Sequence, residues 1–236
     1  MASGKGILLG ALGGLVLRDA VVRSLRDVAG CFRAVELAGP GLRGVAFQPG
    51  DKIQVLLPSR EVRTFTPLHW DGEAGVTELL MFHHAATPAG VWIRELAVGD
   101  TCRFVGPQRS LRLPVHGPVV LFGDETSCAV ALALAAAMPD REFACVLESS
   151  TEAAMRTALG DRVAHATLVP REPSEAHIPA LMRELQAALA RSPGASLLLT
   201  GRAQAIQGVR AACKAQVLPR PADTRAYWSL GKVGLD

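Results

Sequence analysis

The chain reads as an antiparallel β-barrel followed by a parallel-sheet α/β half. Three observations predict this. Short strands with Gly and Pro punctuation run to about residue 115, a proline-flanked hinge follows at 114–118, and four strand–helix units succeed one another beyond it. Residues 1–114 make the first domain of this reading and 115–236 the second.

In the first half, residues 32–37 form a strand closed by Gly39-Pro40-Gly41. Residues 52–57 place Ile53, Val55 and Leu57 on one face and Lys52 and Gln54 on the other, after a Gly50-Asp51 turn. Strands at 76–82 and 101–105 follow, the second ending at Gly106-Pro107. One helix interrupts them. Thr87 is a good N-cap, Pro88 suits the first helical position, and the helix runs to Leu96 before Gly99. Its amide-rich, positive end suits a phosphate.

Between these elements stands Arg63-Thr64-Phe65-Thr66-Pro67. As a strand it puts Arg63 and Phe65 on one face and Val62, Thr64 and Thr66 on the other. A cation, a flat ring and a hydroxyl on one stiff segment can grip a phosphate, cover an aromatic ring and bond its edge. A solvated arginine beside a core phenylalanine is the alternative reading of the same residues.

Past the hinge, residues 119–122 are a continuous apolar run, suited to a strand buried on both faces. An Ala/Leu-rich helix at 127–138 follows, then strand 143–147 with helix 151–159, strand 166–169 with helix 179–190, and strand 196–200 with helix 203–214. Gly123-Asp124-Glu125-Thr126 and Thr200-Gly201-Arg202 each carry a glycine straight after a strand, at the end where open α/β sheets bind ligands. Neither a G-x-G-x-x-G nor a G-x-x-x-x-G-K-[ST] loop is present, so this is a nucleotide site without the usual fingerprint.

Composition narrows the function. With 49% hydrophobic and 20% charged residues and a net charge of +3, the 236-residue chain is an ordinary globular protein without the basic, aromatic-interleaved runs of a nucleic-acid binder. Its five cysteines are dispersed, with no C-x-x-C, so no metal site is expected and core thiols in a reducing compartment are. The adjacent His83 and His84 would point to opposite faces of a strand and do not chelate one ion. The apolar stretch at 7–17 is too short to span a bilayer and lacks an obvious cleavage site, so we read it as a packed N-terminal element of a cytoplasmic protein.

Together these motifs resemble the siderophore-interacting proteins, FAD-dependent ferric-siderophore reductases of the ferredoxin-reductase superfamily, over about residues 28–236. Arg63-Thr64-Phe65-Thr66 stands where that family has R-x-Y-[ST]. The resemblance implies that Arg63 binds the flavin phosphate, Phe65 lies against the isoalloxazine and Thr66 bonds near its reactive edge. The segment from His84 through Thr87, Ala89, Gly90 and Trp92 resembles H-G-x-x-G-P-A-S-x-W-A, which wraps the pyrophosphate and adenine side, with Gly90 in place of Ser. Gly123-Asp124-Glu125-Thr126 matches the G-D-E-T signature beside the nicotinamide, and Tyr227-Trp228 opens the closing Y-W-x-x-G-K. Thr66 and Thr126 are thereby the candidates nearest the reaction, and Gly201 joins the nicotinamide side.

Two residues keep two readings. Arg202 either meets the 2′-phosphate of NADPH or simply starts a helix. Trp228 either covers the flavin or anchors the tail. Arg60, Arg109, Arg112 and Lys232 are candidates for a basic mouth toward an anionic ferric siderophore, or solvated charges. The implied activity is NADPH- or NADH-dependent reduction of siderophore-bound iron. A flavin oxidoreductase with another acceptor, or an inactive flavin-binding module, would share the same motifs.

Overall fold

The computed structural model describes residues 17–83, 87–215 and 217–231. His84, Lys232 and most of the 7–17 stretch lie outside them. The chain divides into two compact units, one ending at Ser110 and the other beginning at Leu111.

The first unit holds β1 (Leu17–Asp27), β2 (Phe32–Ala38), β3 (Lys52–Leu56), β4 (Val62–Phe65), β5 (Pro67–Asp71), β6 (Val76–Phe82), helix α1 (Pro88–Glu95) and β7 (Thr101–Gln108). The strands form one sheet in the order β4-β3-β7-β1-β2-β6-β5, and every pairing is antiparallel. The strands at its two edges, β4 and β5, are consecutive in the chain and separated by Thr66 alone. The chain therefore passes from one edge of the sheet to the other at Thr66, which gives the sheet a barrel-like curl with its seam there.

Alternation fills the interior. Ile53, Val55 and Leu57 are buried with Val35, Leu37, Leu79, Met81 and Phe104, each such side chain contributing about 1.5–3 kcal/mol of apolar burial. Helix α1 starts as its sequence predicts: the Thr87 hydroxyl accepts from the Gly90 amide at 3.1 Å. Ile93 enters the core. At the other end, Nη1 of Arg33 donates to the carbonyls of Ile93 (2.7 Å), Arg94 (3.0 Å) and Leu96 (3.2 Å), satisfying the last turn and opposing its dipole.

Three features of this unit differ from the sequence reading. β1 was not resolved because only Ala20 and Val22 of its eleven residues are buried, too few for a periodic signal. β5 is short and edge-placed, with Pro67 as its only buried residue. β7 continues through Gly106-Pro107 instead of stopping there: Gly106 takes φ +119° and the register against β3 shifts, after which Gln108 pairs with Lys52.

The second unit contains β8 (Val119–Gly123), α2 (Cys128–Ala137), β9 (Phe143–Ser149), α3 (Glu152–Leu159), β10 (Thr167–Pro170), α4 (Ile178–Arg191), β11 (Ser196–Arg202), α5 (Ala203–Lys214) and β12 (Asp223–Trp228). Its sheet runs β10-β9-β8-β11-β12, all parallel. Val120, Phe122, Val146, Leu197 and Leu199 pack against α4 and α5, while α2, buried on every side from Cys128 to Leu134, lies under α3 and a 3₁₀ turn at Gly160–Val163. The strand β12 was read from sequence only as a tail. It adds to the sheet edge beside β11.

From the centre, the chain leaves β8 toward β9 and β10, then crosses to β11 and β12 on the other side. The turns after β8 and β11 therefore flank the point where the strand order reverses, which is where sheets of this type bind ligands. Cys102, Cys128 and Cys145 are buried free thiols, and burial pushes Cys102 up to about 12. Among the described residues no helix is long and apolar enough to cross a membrane.

Candidate functional site

Two motif-bearing regions, one in each unit, hold the candidate residues. In the first, the pairings Val55↔Arg63 and Ile53↔Phe65 put Arg63 and Phe65 on the inward face of β4, since directly paired residues share a face and Ile53 and Val55 are core. Phe65 is half-buried and packs against Trp92 of α1, with ring centroids 6.1 Å apart at 43°. Its ring is thus shared between the barrel core and the helix. Arg63 donates to Glu61 Oε2 at 2.8 Å and to the Val62 carbonyl at 2.9 Å, with its side chain 21% exposed. Thr66 sits half-buried at the seam of the barrel.

At the start of α1, Ala89 and Trp92 pack on the barrel core. The helix end offers a phosphate less than its sequence promised. Pro88 has no N–H, while the Gly90 and Val91 amides are both taken by Thr87, through its hydroxyl and its carbonyl. The expectation that Thr87 and several backbone amides hold a pyrophosphate reduces to the Ala89 amide and the helix dipole.

The second region is a connected set of buried polar groups at the carboxyl ends of the strands. Asp124 is fully buried. Its Oδ1 accepts from the amide (2.8 Å) and the hydroxyl (2.5 Å) of Thr126, and its Oδ2 from Nε1 of Trp228 (2.7 Å). Burial raises its pKa to about 6, against the lowering effect of those donors. Gly201, at φ +91°, lies against this carboxyl: a Cβ there would stand 2.7 Å from Asp124 Cγ. Gly123 is needed for the same kind of reason, since a Cβ there would meet Thr200 Oγ1 at 2.8 Å. The two glycines that sequence reading marked are the ones this close approach requires.

Glu125 is 2% exposed. Its Oε1 accepts from the Ser150 amide (2.6 Å), the Ser150 hydroxyl (2.5 Å) and Arg171 Nη2 (2.6 Å), and Oε2 accepts from the same Arg171 nitrogen (2.8 Å). Arg171 lies over the Trp228 ring, 5.6 Å from its centroid. A slip in register, with Gly201 opposite Ala226 and Arg202 opposite Trp228, leaves Tyr227 as the extra residue of β12 and brings Trp228 to Asp124. Trp228 therefore anchors the tail strand to the turn after β8.

Arg202 differs from the sequence expectation. It is 1% exposed and clamped between two carboxylates, donating from Nε (2.7 Å) and Nη2 (2.8 Å) to Glu148 and from Nη1 (2.5 Å) and Nη2 (2.8 Å) to Glu175. Hydrogen bonds from Arg202 hold Glu175 below the usual carboxylate range and keep Arg202 itself firmly charged. Its side chain is not available to a 2′-phosphate. Glu148, fully buried, also meets His177 Nε2 at 2.9 Å, and His177 Nδ1 accepts from the Glu172 amide at 3.2 Å. That bond assigns the ring proton to Nε2, which then donates to Glu148.

Glu148, Arg171, Glu175 and His177 were not found from sequence. One signal was available: Glu148 interrupts the apolar run of β9, and a carboxylate inside a buried strand requires partners. Of the basic-mouth candidates, Arg60 and Arg112 are exposed and Arg109 stands 3.9 Å from the buried Asp51.

The barrel of antiparallel strands followed by a five-stranded parallel sheet is the ferredoxin-reductase type of fold. Within it, the chain is similar to a siderophore utilization protein from T. fusca (20% identity, TM-score 0.76, covering 94% of this chain and 96% of that one) and to a siderophore-interacting protein from Aeromonas hydrophila (21%, 0.74, 92% and 93%). It is also similar to phthalate dioxygenase reductase (14%, 0.71, 93% and 70%), whose structure is described as modular for electron transfer from pyridine nucleotides to [2Fe–2S]. No protein-family model and no curated protein matches the sequence.

Proposed function

We propose that the protein is an FAD-dependent oxidoreductase that takes reducing equivalents from NADH or NADPH and reduces ferric iron held by a siderophore, working in the cytoplasm where reduced nicotinamides are available. The observation that carries this reading is the strand order of the second unit, which sets the Gly123–Thr126 turn and Gly201 on neighbouring central strands at the reversal point. Likeness in fold to two proteins named for siderophores supports the acceptor.

The residues present fit both cofactors. Bound FAD would supply a carrier that accepts a hydride and passes electrons on singly. Around it, Thr66 at the barrel seam offers a hydroxyl, Phe65 the part of its ring not covered by Trp92, and Arg63 a cation that must turn from Glu61 or share it. On the nicotinamide side, Gly201 is buried against the carboxyl of Asp124, whose oxygens are already occupied by Thr126 and Trp228. Thr126 gives its hydroxyl proton to Asp124, which leaves the hydroxyl oxygen free to accept from a ligand. Asp124 and Glu125 shape and brace the turn.

The likeness to phthalate dioxygenase reductase favours a second reading, in which the acceptor is a one-electron redox partner. Anaerobic reduction with NADH or NADPH, followed by reoxidation with ferric hydroxamate and catecholate siderophores or with ferredoxin-type acceptors, separates the two. Rapid reoxidation by the ferric siderophores supports the first, and reoxidation by the protein acceptors alone the second.

A further inference from the structure

We propose that the nucleotide site of the second unit is built for a dinucleotide without a 2′-phosphate, and that Glu175 sets this preference. The inference rests on the reading of that unit as a nicotinamide-dinucleotide site. In parallel sheets of this kind, the end of the strand next to the phosphate-binding turn takes the adenosine ribose. There, a carboxylate selects the free 2′-hydroxyl and an available arginine accepts a 2′-phosphate. Here that strand is β9, ending in Glu148-Ser149.

The charges at this end are acidic in balance. Among the described residues, Asp124, Glu125, Glu148 and Glu175 are met by two guanidinium groups, those of Arg171 and Arg202, and His177 is neutral in the tautomer its bonds assign. Both arginines are tied to carboxylates. Arg171 gives Nη2 to both oxygens of Glu125, while its Nη1 is buried without a hydrogen-bond partner, 3.6 Å from Glu148 Oε1, and every nitrogen of Arg202 donates to Glu148 or Glu175. Arg156, in the first helix beyond β9, is bonded to the Ala166 carbonyl at 2.7 Å and lies 3.4 Å from Glu152. Among the described residues following β8, β9, β10 and β11, no other lysine or arginine occurs before the second turn of the next helix, where Arg183 stands exposed. Of these four carboxylates the one left at the surface is Glu175, its side chain 42% exposed and held charged by Arg202, with Glu172 exposed in the same loop.

A 2′-phosphate entering here would bring a dianion within about a Debye length, roughly 8 Å, of an excess negative charge whose two neighbouring guanidinium groups already pair with carboxylates. A 2′-hydroxyl carries no such penalty and can donate to a carboxylate. Replacing Glu175 by Gln keeps the shape, removes one charge and loosens one edge of Arg202, while the bidentate pair with Glu148 remains.

The test is isothermal calorimetry of the FAD-loaded protein with NAD⁺ and NADP⁺, which bind without turnover, repeated on Glu175→Gln. The parent is expected to bind NAD⁺ at least about tenfold more tightly, and the ratio to shrink about fivefold in the variant. Equal affinities, or tighter NADP⁺, overturn the preference while leaving the dinucleotide site standing. A preference that Glu175→Gln leaves unchanged removes Glu175 as its cause. Binding of neither nucleotide at millimolar concentration overturns the site itself.

Discussion

Trp228 Nε1 donates to Asp124 Oδ2 at 2.7 Å, joining residues 104 positions apart. The bond fastens the last strand to the turn after the first strand of the second sheet. Trp228→Phe keeps the bulk of the ring and leaves a buried carboxylate oxygen without its donor, so it should destabilise the protein by about 1–3 kcal/mol in urea unfolding. A loss near zero would show that Trp228 is only packed there.

The same carboxyl predicts a pH dependence. Burial raises Asp124 from 3.8 to about 6, so between those values the folded state binds more protons than the unfolded chain. Its contribution to stability is therefore greatest at low pH and declines as pH rises through about 6. Glu175 acts in the opposite direction: its pKa is lowered from 4.5 by Arg202, and its contribution disappears as pH falls through its folded value. Stability measured from pH 4 to 7 for the parent minus that for Asp124→Asn should decline across the range; a flat difference would contradict it.

Arg202 sits between two carboxylates with 1% exposure. Arg202→Met leaves Glu148 charged, buried and short of its main partner, which should cost about 3–5 kcal/mol. Arg202→Lys should recover little of this, because an ammonium cannot form the paired bonds to either carboxylate. Urea midpoints of the two variants check both statements.

Gly201→Ala combines a left-handed backbone with a Cβ 2.7 Å from Asp124 Cγ. It should destabilise by about 1–3 kcal/mol, and it should weaken dinucleotide binding beyond its effect on stability, because the surface over the turn is displaced. Calorimetry at a temperature where the variant is fully folded separates the two effects.

Much of this arrangement could be read from the residues, for physical reasons that also explain the gaps. The α/β half was legible because its central strands are buried on both faces and give unbroken apolar runs such as Val119–Gly123. The helix at Thr87 was legible because its cap is local. β1 and β12 were missed because few or none of their residues are buried and they are held by pairing with strands elsewhere in the chain, Val21 with Ala38 and Asp223 with Leu198. The Arg202 clamp was hidden for the same reason. Its partners Glu148, in β9, and Glu175, in the loop after β10, lie 54 and 27 residues away, and no spacing rule connects them.

In the barrel, the flavin reading depends on Arg63. Arg63→Ala removes a cation that the fold itself holds only through Glu61 and a neighbouring carbonyl. It should weaken FAD retention about tenfold or more with an unchanged far-ultraviolet circular dichroism spectrum. Retention equal to the parent would take Arg63 out of the site.

The most direct measurement is anaerobic stopped-flow of the FAD-loaded protein with NADH, followed by a ferric siderophore. The account predicts that the visible flavin absorbance is bleached by the nucleotide and restored by the ferric complex with release of ferrous ion. A protein that takes up no FAD, or whose bound flavin stays coloured in the presence of both NADH and NADPH, would contradict it.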